Sequence, residues 1–453
     1  MSSSSSLGKK TAVNLFFGMF IQAIIALAFD SGGIVSGIIA SSMMDIQRIK
    51  WIVLIYAPLL AARGDIAILA GKLGTGLHLG TVKPAFRNNT PMYRSLVSST
   101  LTIAIFDAFL IGIATYVMNL LTFPEGIRVL NPTIFFVIPI LVLAVATILS
   151  VQLTSAVSFF TYKKGLNPDI YVVPVTNTIN NILITLIYAG VLAILKPWSG
   201  NLVTIDGSEV FAVASNNDLL GTYIAIIPAV LAVGAIIYVI MKNRKEREYR
   251  KIMKEAIFAV FASAIIGTIT GVTLSKGEAA LEKYPQLLVA FPALISTLVD
   301  QNAITANILI TDFSAGYTEP SVKSIRKPKV WTMFAGIAAG GIVITMFLSI
   351  IGTFIKWGSI AEGTRWTVIL VMIVTVLANA IGYVLVGSLI FVLAIFAFKR
   401  EIDPDNFAIP LTACLSDLAC AGMIIAFSFL MLPGVGGEST AEMLSMAATI
   451  FLG

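Results

Sequence analysis

Two stretches of this chain read alike: NPDIYVVPVTNTINN at 167–181 and DPDNFAIPLTACLSD at 403–417. Each begins a long apolar run that predicts a membrane helix, so a polar residue inside that run needs an explanation. Two prolines, an aspartate and a threonine recur at matching places: Pro168, Asp169, Pro174 and Thr176 correspond to Pro404, Asp405, Pro410 and Thr412. Such a recurrence indicates that the sequence is duplicated.

Other matches follow in the same order along both halves. GIVSG at 33–37 corresponds to GTITG at 267–271, and Pro58 corresponds to Pro292. Beyond Pro292 a two-residue insertion brings the later matches into register: Gly80 and Pro84 correspond to Gly316 and Pro320. Each match is short, but their constant order and spacing predict two copies of one unit.

The composition excludes a soluble protein. Apolar residues make up 57% of the 453 positions, charged residues only 12%, and the mean hydropathy is +0.93. The long, continuous apolar runs predict membrane helices rather than the alternating strands of a barrel. The two cysteines, Cys414 and Cys420, lie six positions apart on one predicted helix, a spacing that does not suit a disulfide. Nothing in the composition indicates a nucleic-acid partner.

Eleven apolar runs are long enough to cross a bilayer. We place them at 12–41, 51–72, 96–121, 133–160, 172–195, 219–241, 252–275, 285–310, 330–355, 366–397 and 406–431. The first and tenth runs are long enough to be tilted, kinked or broken.

The predicted fold is an all-α polytopic membrane protein with two five-helix repeats. The first repeat covers 1–197, a linker with one transmembrane helix covers 198–250, and the second repeat covers 251–453. Because the linking helix adds a sixth crossing, the two repeats should run parallel across the membrane, related by a pseudo-two-fold axis.

Basic residues predict the orientation. The strongest cluster is KNRKEREYRK at 242–251, whereas the preceding loop at 205–209 reads IDGSE. Lys and Arg concentrate on the cytoplasmic side of membrane proteins. We therefore expect a multi-pass protein of the cell membrane with a cytoplasmic N-terminus and an extracellular C-terminus. The formal net charge of +6 then reflects this loop bias.

Asp417 is the first candidate for a functional residue. An aspartate at the centre of a membrane helix costs about 2.5–3.5 kcal/mol on insertion scales, so such residues usually face a bundle interior or a hydrated cavity. Its counterpart in the first repeat is Asn181, and Asn177 lies on the same helical face. Carboxylate and amide oxygens suit a hard cation such as Mg²⁺. The alternative is that Asp417 only stabilises helix packing.

The second helix of each repeat is the other polar one. In the first repeat it contains Arg63 and Asp65 and then several glycines, and in the second it contains Asp300 and Gln301. Unwound backbone at membrane depth is tolerated only where it lines a cavity or is buried in protein, so these helices are candidates to line a pathway. The alternative is that the glycines only pack and Arg63 pairs with an acid.

Three further polar residues carry no functional prediction. Asp30 and Asp107 also fall in apolar runs, where hydrogen bonding between helices explains them at least as well as transport does. The single histidine, His78, has no partners for a metal site or a catalytic triad. We predict no catalytic residue, no enzyme activity and no bound organic cofactor.

These motifs resemble the membrane domain of MgtE-type magnesium transporters, and the duplication resembles solute carrier family 41. The specific part is the fifth helix, where Pro404-Asp405-Asn406, Pro410 and Asp417 follow the family pattern. The Gly-Asn pair of the family's second helix is replaced by Gly64-Asp65 and by Asp300-Gln301. The resemblance implies that Asp417 binds Mg²⁺ on a central axis with Asn181 as its partner. An amide at that second position lowers the charge of the implied site.

The leading hypothesis is transport of a divalent cation, with Mg²⁺ as the expected ion, along a central pathway at the interface of two pseudo-symmetric repeats. The predicted metal ligands are Asp417, Asn181, Asn177, Asp65, Asp300 and Gln301. The expected partners are the cation and the lipid bilayer; the single chain forms a pseudo-dimer, and its further oligomerisation is open.

Alternatives remain at this stage. The first is a secondary transporter of another ion or a small solute, coupled to Na⁺ or H⁺. An intramembrane aspartyl protease would need two facing aspartates, and the sequence has no GxGD-type motif. A receptor or scaffold would leave the polar faces of these helices unexplained.

Overall fold

The protein is described by a computed structural model. The described residues are 2–43, 50–123, 128–165, 168–195, 202–205, 208–211, 220–314, 316–359, 366–400 and 404–435. The helices are α1 (Ser2–Leu27), α2 (Gly33–Met43), α3 (Lys50–Ala61), α4 (Arg63–His78), α5 (Pro91–Thr122), α6 (Thr133–Lys163), α7 (Pro168–Leu195), α8 (Leu220–Asn243), α9 (Arg247–Lys276), α10 (Glu278–Lys283), α11 (Pro285–Ser314), α12 (Pro328–Ile355), α13 (Thr367–Lys399) and α14 (Pro404–Met431).

The helical membrane fold is confirmed. Eleven spans in the described part of the chain are long and apolar enough to cross a membrane, and each coincides with a predicted run. Helices α1 and α2 together make the first span, and α3 and α4 make the second. The predicted linker holds α8 and a short antiparallel hairpin of β1 (Leu202–Ile205) and β2 (Ser208–Phe211), which the sequence reading did not anticipate.

The first two spans are interrupted near their middles. A 3₁₀ segment at Ala28–Gly32, which contains Asp30, separates α1 from α2. Helix α3 ends at Ala61 and α4 begins at Arg63. The glycines of the second span do not unwind it, because α4 remains helical as far as His78. The tenth span is a single helix, α13, without a break.

The second span of each half forms the centre of the molecule. Trp51–His78 is 100% buried over its most apolar stretch and Pro285–Ile310 is 89% buried, whereas the linking helix α8 is 11% buried. Helix α8 packs on the outside of α5 and α6. The second spans therefore form the interior of the bundle, where the two halves meet.

The first helices are exchanged between the halves. Helices α1 and α2 pack against α12 and α11, which are the third and second helices of the second half. Helix α9 packs against α5 and α3 of the first half and also against α14 of its own half. The division at 197 and 251 stays a prediction from the sequence, while in space the first helices of each half pack against helices of the other half.

Glycines make this exchange possible. Each glycine of GIVSG and GTITG lies against the backbone of the opposite second span: Gly33 on Ala293, Gly37 on Val289, Gly267 on Pro58 and Gly271 on Leu54. A Cβ at Gly271 would lie 2.8 Å from the Leu54 carbonyl oxygen. In a helix the Leu54 carbonyl would accept from the N–H of residue 58, but Pro58 has no N–H. The Leu54 oxygen is therefore free to face the Gly271 backbone. Small residues spaced four apart allow such close helix contact.

Candidate functional site

Four helices, two from each half, meet around a small cavity. Its volume is about 10 Å³, close to the room that one water molecule needs. Helices α4, α7, α11 and α14 contribute two lining residues each: Gly64, Ala67, Val173, Asn177, Val299, Ala303, Thr412 and Ala413. The second and fifth helices of both halves therefore converge at this point.

One layer beside the cavity is built around a buried arginine. The Arg63 side chain is completely buried, forms an ion pair with the Asp417 carboxylate and donates from Nη1 to Asn181 Oδ1 at 3.1 Å. Asn181 Nδ2 donates in turn to Ser296 Oγ at 2.5 Å. The repeat places Asn181 and Asp417 at equivalent positions of the fifth helices, and here a guanidinium lies between them.

A second layer lies one helical turn earlier on α7. Asn177 Nδ2 donates to Asp300 Oδ1 at 2.5 Å. The Asp300 carboxyl also lies against that of Asp30, at the break of the first span, and the Asp30 carboxyl contacts Thr297. The interrupted first span therefore brings a further acidic side chain to the central helices.

Several buried oxygens around these layers have no hydrogen-bond partner among the described residues: Asp417 Oδ2, Asp300 Oδ2, Asn177 Oδ1 and Thr412 Oγ1. Leaving a buried polar atom unpaired costs about 1–3 kcal/mol, and more for a charged group. Oxygen atoms are the ligands that hard cations prefer, and Mg²⁺ in particular usually keeps several of its waters. The cluster has the chemistry of a cation site made of few protein ligands.

Two of the six predicted ligands are not part of this cluster. The Asp65 carboxyl contacts that of Asp107 on α5. Gln301 accepts from Asn379 Nδ2 at 2.7 Å and donates to the Ile337 carbonyl at 3.3 Å. Both residues come one position after a residue that faces the central helices. One position turns a helical side chain by about 100°, which points Asp65 toward α5 and Gln301 toward α12 and α13.

Sequence reasoning named four residues that do come together: Asp417, Asn181, Asn177 and Asp300. It did not place Arg63 between the fifth helices, although pairing with an acid was one of its alternatives. It assigned no role to Asp30. Over the described residues there is no group of three or more His, Cys, Asp or Glu side chains that could hold a metal ion. A cation here would therefore depend on two carboxylates at most, with amides and water.

Comparison with known proteins gives one match. A family model described as MgtE, divalent cation transporter, matches residues 56–191 and 291–429. The two matches together cover more than half of the chain and begin at corresponding places, within the second span of each half. The first helices, α1, α2 and α9, lie outside the matched residues. No curated protein and no solved structure matches the chain.

Proposed function

The chain belongs to the MgtE family of divalent cation transporters. From this premise we propose that it transports Mg²⁺ across the membrane along the interface between its two halves. The family is one of transporters and not of enzymes. The proposed path runs along the contact of α4, α7, α11 and α14, the four helices that enclose the central cavity. The ion is the substrate of this path.

The observation that carries this proposal is the set of unpartnered oxygens in the two polar layers beside the cavity. Asp417 Oδ2, Asp300 Oδ2 and Asn177 Oδ1 are buried without a hydrogen-bond donor among the described residues. They come from three different helices and from both halves. Oxygen atoms of this kind are the ligands that a hydrated Mg²⁺ prefers.

We assign a separate role to each side chain. Asp417 supplies the charge that holds the ion, and Asn181 supplies an amide oxygen from the equivalent position of the first half. Asn177 and Asp300 form the next station, one turn along α7. Asp65 and Gln301, which bind elsewhere, would influence the path only through the position of their helices.

The predicted orientation gives this path a direction. If the N-terminus is cytoplasmic, α7 and α14 both run outward from the cytoplasm. The cavity lies near their N-terminal ends, at Val173 and Thr412, so it would open from the cytoplasmic side. The layer of Arg63 and Asp417 then separates it from the external side. A cysteine introduced in the loop 242–251 and labelled from each side of the membrane tests this orientation.

The test is Mg²⁺ entry into proteoliposomes that contain a fluorescent Mg²⁺ indicator. Asp417→Asn alone would leave Arg63 buried without its partner, which is expected to cost about 3–5 kcal/mol and could unfold the protein. The informative variant is therefore Arg63→Gln/Asp417→Asn, which removes both charges together. We expect wild type to carry Mg²⁺ and this double variant to lose transport while remaining folded.

The matched control is Asp107→Asn. It also removes a buried carboxylate from a membrane helix, but from the contact with Asp65 and away from the cavity. Transport by Asp107→Asn should be close to that of wild type. Equal transport by wild type and the Arg63→Gln/Asp417→Asn variant would refute the assignment of Asp417. Failure of wild type to carry any divalent cation would refute the function itself.

A further inference from the structure

We infer that the Arg63 guanidinium is a built-in competitor of the transported cation. It occupies the position between Asn181 and Asp417 where the ion would bind, and the ion binds there only when the guanidinium leaves. This inference rests on the proposed function and adds a residue that sets the affinity of its site.

The contacts of Arg63 support the inference directly. Its two terminal nitrogens engage one oxygen from the fifth helix of each half, Asn181 Oδ1 and Asp417 Oδ1. Its Nε atom has no partner among the described residues. The guanidinium is thus held by the two side chains that the repeat makes equivalent.

Charge makes this occupation exclusive. A guanidinium always carries one positive charge in a protein, and a divalent cation at the same carboxylate would meet it at contact distance in a buried site. With Arg63 in place, the charge of Asp417 is already compensated. An arriving ion must therefore compete with a positive charge attached to the chain.

The structure also shows where Arg63 could move. It is the first residue of α4, directly after the interruption at Ala62, and helix ends are positions where backbone angles can change. The next residue, Gly64, packs closely on α14, with its Cβ position 3.3 Å from Pro410 Cα. The central cavity has room for about one water, so neither a hydrated ion nor the guanidinium fits in it. The described arrangement is therefore closed, and opening requires α4 to shift against α14.

A purely stabilising ion pair is the competing explanation. Buried ion pairs contribute little to stability compared with apolar residues of the same size, because both charges lose their hydration. Stability alone therefore does not account for an arginine at this depth. Competition predicts a gain in Mg²⁺ affinity when Arg63 loses its charge, whereas a purely structural ion pair predicts no gain.

The first experiment compares wild type, Arg63→Gln and Arg94→Gln in the Mg²⁺ flux assay. Glutamine keeps much of the length of arginine without its charge, and Arg94 is an exposed arginine outside the cluster. Arg63→Gln leaves the Asp417 carboxylate unpaired and loses stability, so its flux is measured on protein that gel filtration shows to be folded. In that fraction we expect the Mg²⁺ concentration for half-maximal flux to fall at least tenfold, which corresponds to about 1.4 kcal/mol. Arg94→Gln should match wild type. A half-maximal concentration that stays the same or rises in Arg63→Gln overturns the inference.

The second experiment returns the lost group from solution. In Arg63→Ala the vacated space next to Asp417 should accept free guanidinium. We expect guanidinium, at a concentration that leaves wild type unaffected and below that needed for denaturation, to inhibit Mg²⁺ flux by Arg63→Ala. Equal sensitivity of wild type and Arg63→Ala contradicts a competition at this position.

Failure of the inference and failure of the proposed function give different results. If Asp417 is required for transport but Arg63→Gln shows no gain in affinity, the function stands and the inference falls. If wild type carries no Mg²⁺, the function falls. Binding can then still be measured by how Mg²⁺ protects the purified protein against heat, in wild type and in Arg63→Gln. A tenfold lower Mg²⁺ concentration for half-maximal protection in Arg63→Gln supports competition, and an equal concentration overturns it.

Discussion

The exchange of the first helices makes a strong prediction for Gly37→Ala. Gly37 on α2 lies against Val289 on α11. An added Cβ would overlap the Val289 carbonyl oxygen and lie 2.6 Å from the carbonyl carbon and 2.8 Å from the Cα. These are backbone atoms in the middle of a buried helix. No change of side-chain rotamer can relieve the clash, so α2 and α11 must separate.

The expected cost follows from these distances. Carbon atoms pack best at about 3.5–4.0 Å, so the two helices must move apart by roughly 1 Å at this point. Overpacking of this kind usually costs about 1–3 kcal/mol, and backbone contacts belong at the upper end of that range. Alanine regains up to about 1 kcal/mol because it favours a helix more than glycine does. We therefore expect a net loss of about 2 kcal/mol.

The control is Gly234→Ala on α8. Gly234 has no neighbouring atom within 4 Å of its Cβ position, so the substitution should be neutral or slightly stabilising. Both variants can be compared by thermal unfolding in detergent, where Gly37→Ala should melt several degrees below Gly234→Ala, on the usual scale of a few degrees per kcal/mol. If the two variants melt at the same temperature, the first helix does not pack on α11 as described.

Three further predictions concern the polar interior. Arg63→Gln and Asp417→Asn should each lower the free energy of unfolding by about 3–5 kcal/mol, because each leaves one buried charge unpaired. The double variant should lose less than the sum of the two, and additive losses would contradict the ion pair. Asn181→Asp adds a second carboxylate between the fifth helices, and a doubly charged cation gains about twice as much from it as the singly charged guanidinium of Arg63 does. The Mg²⁺ concentration for half-maximal flux should therefore fall; a rise would argue against Asn181 as a ligand position. Asn119→Ala removes both side-chain bonds to the backbone of Val129, at 2.8 and 3.2 Å, and should cost about 1–3 kcal/mol in thermal unfolding; an unchanged melting temperature would contradict those bonds.

The spans could be predicted from the sequence because hydrophobicity alone determines them. All eleven predicted runs correspond to helices, since the bilayer requires long apolar segments whose backbone bonds internally. The repeat could be predicted from matched prolines and glycines such as Pro58 and Pro292. The exchange of the first helices could not, because the same glycine motif would also suit packing within one half.

The candidate site could be predicted only in part. The face of the fifth helix indicates Asn177, Asn181 and Asp417 because residues three or four apart share a side. Asp65 was included because it corresponds to a family asparagine, but helical rotation turns its side chain toward α5. The place of Arg63 depends on the break at Ala62 and on a residue 354 positions later in the chain, a relation that no local pattern contains.

The exchanged first helices also determine how the protein can be made. Gly37 is synthesised about 250 residues before its contact Val289, which at roughly 5–20 residues per second leaves it without that partner for about 12–50 s. During that interval α2 has its contacts with α7 of the same half, but the surfaces that α1 and α2 present to α12 and α11 are not yet covered. The two halves therefore complete their folding together, after the second half has been synthesised, and not one after the other. Cutting the gene between 197 and 251 would yield two chains that are stable only when they are produced together.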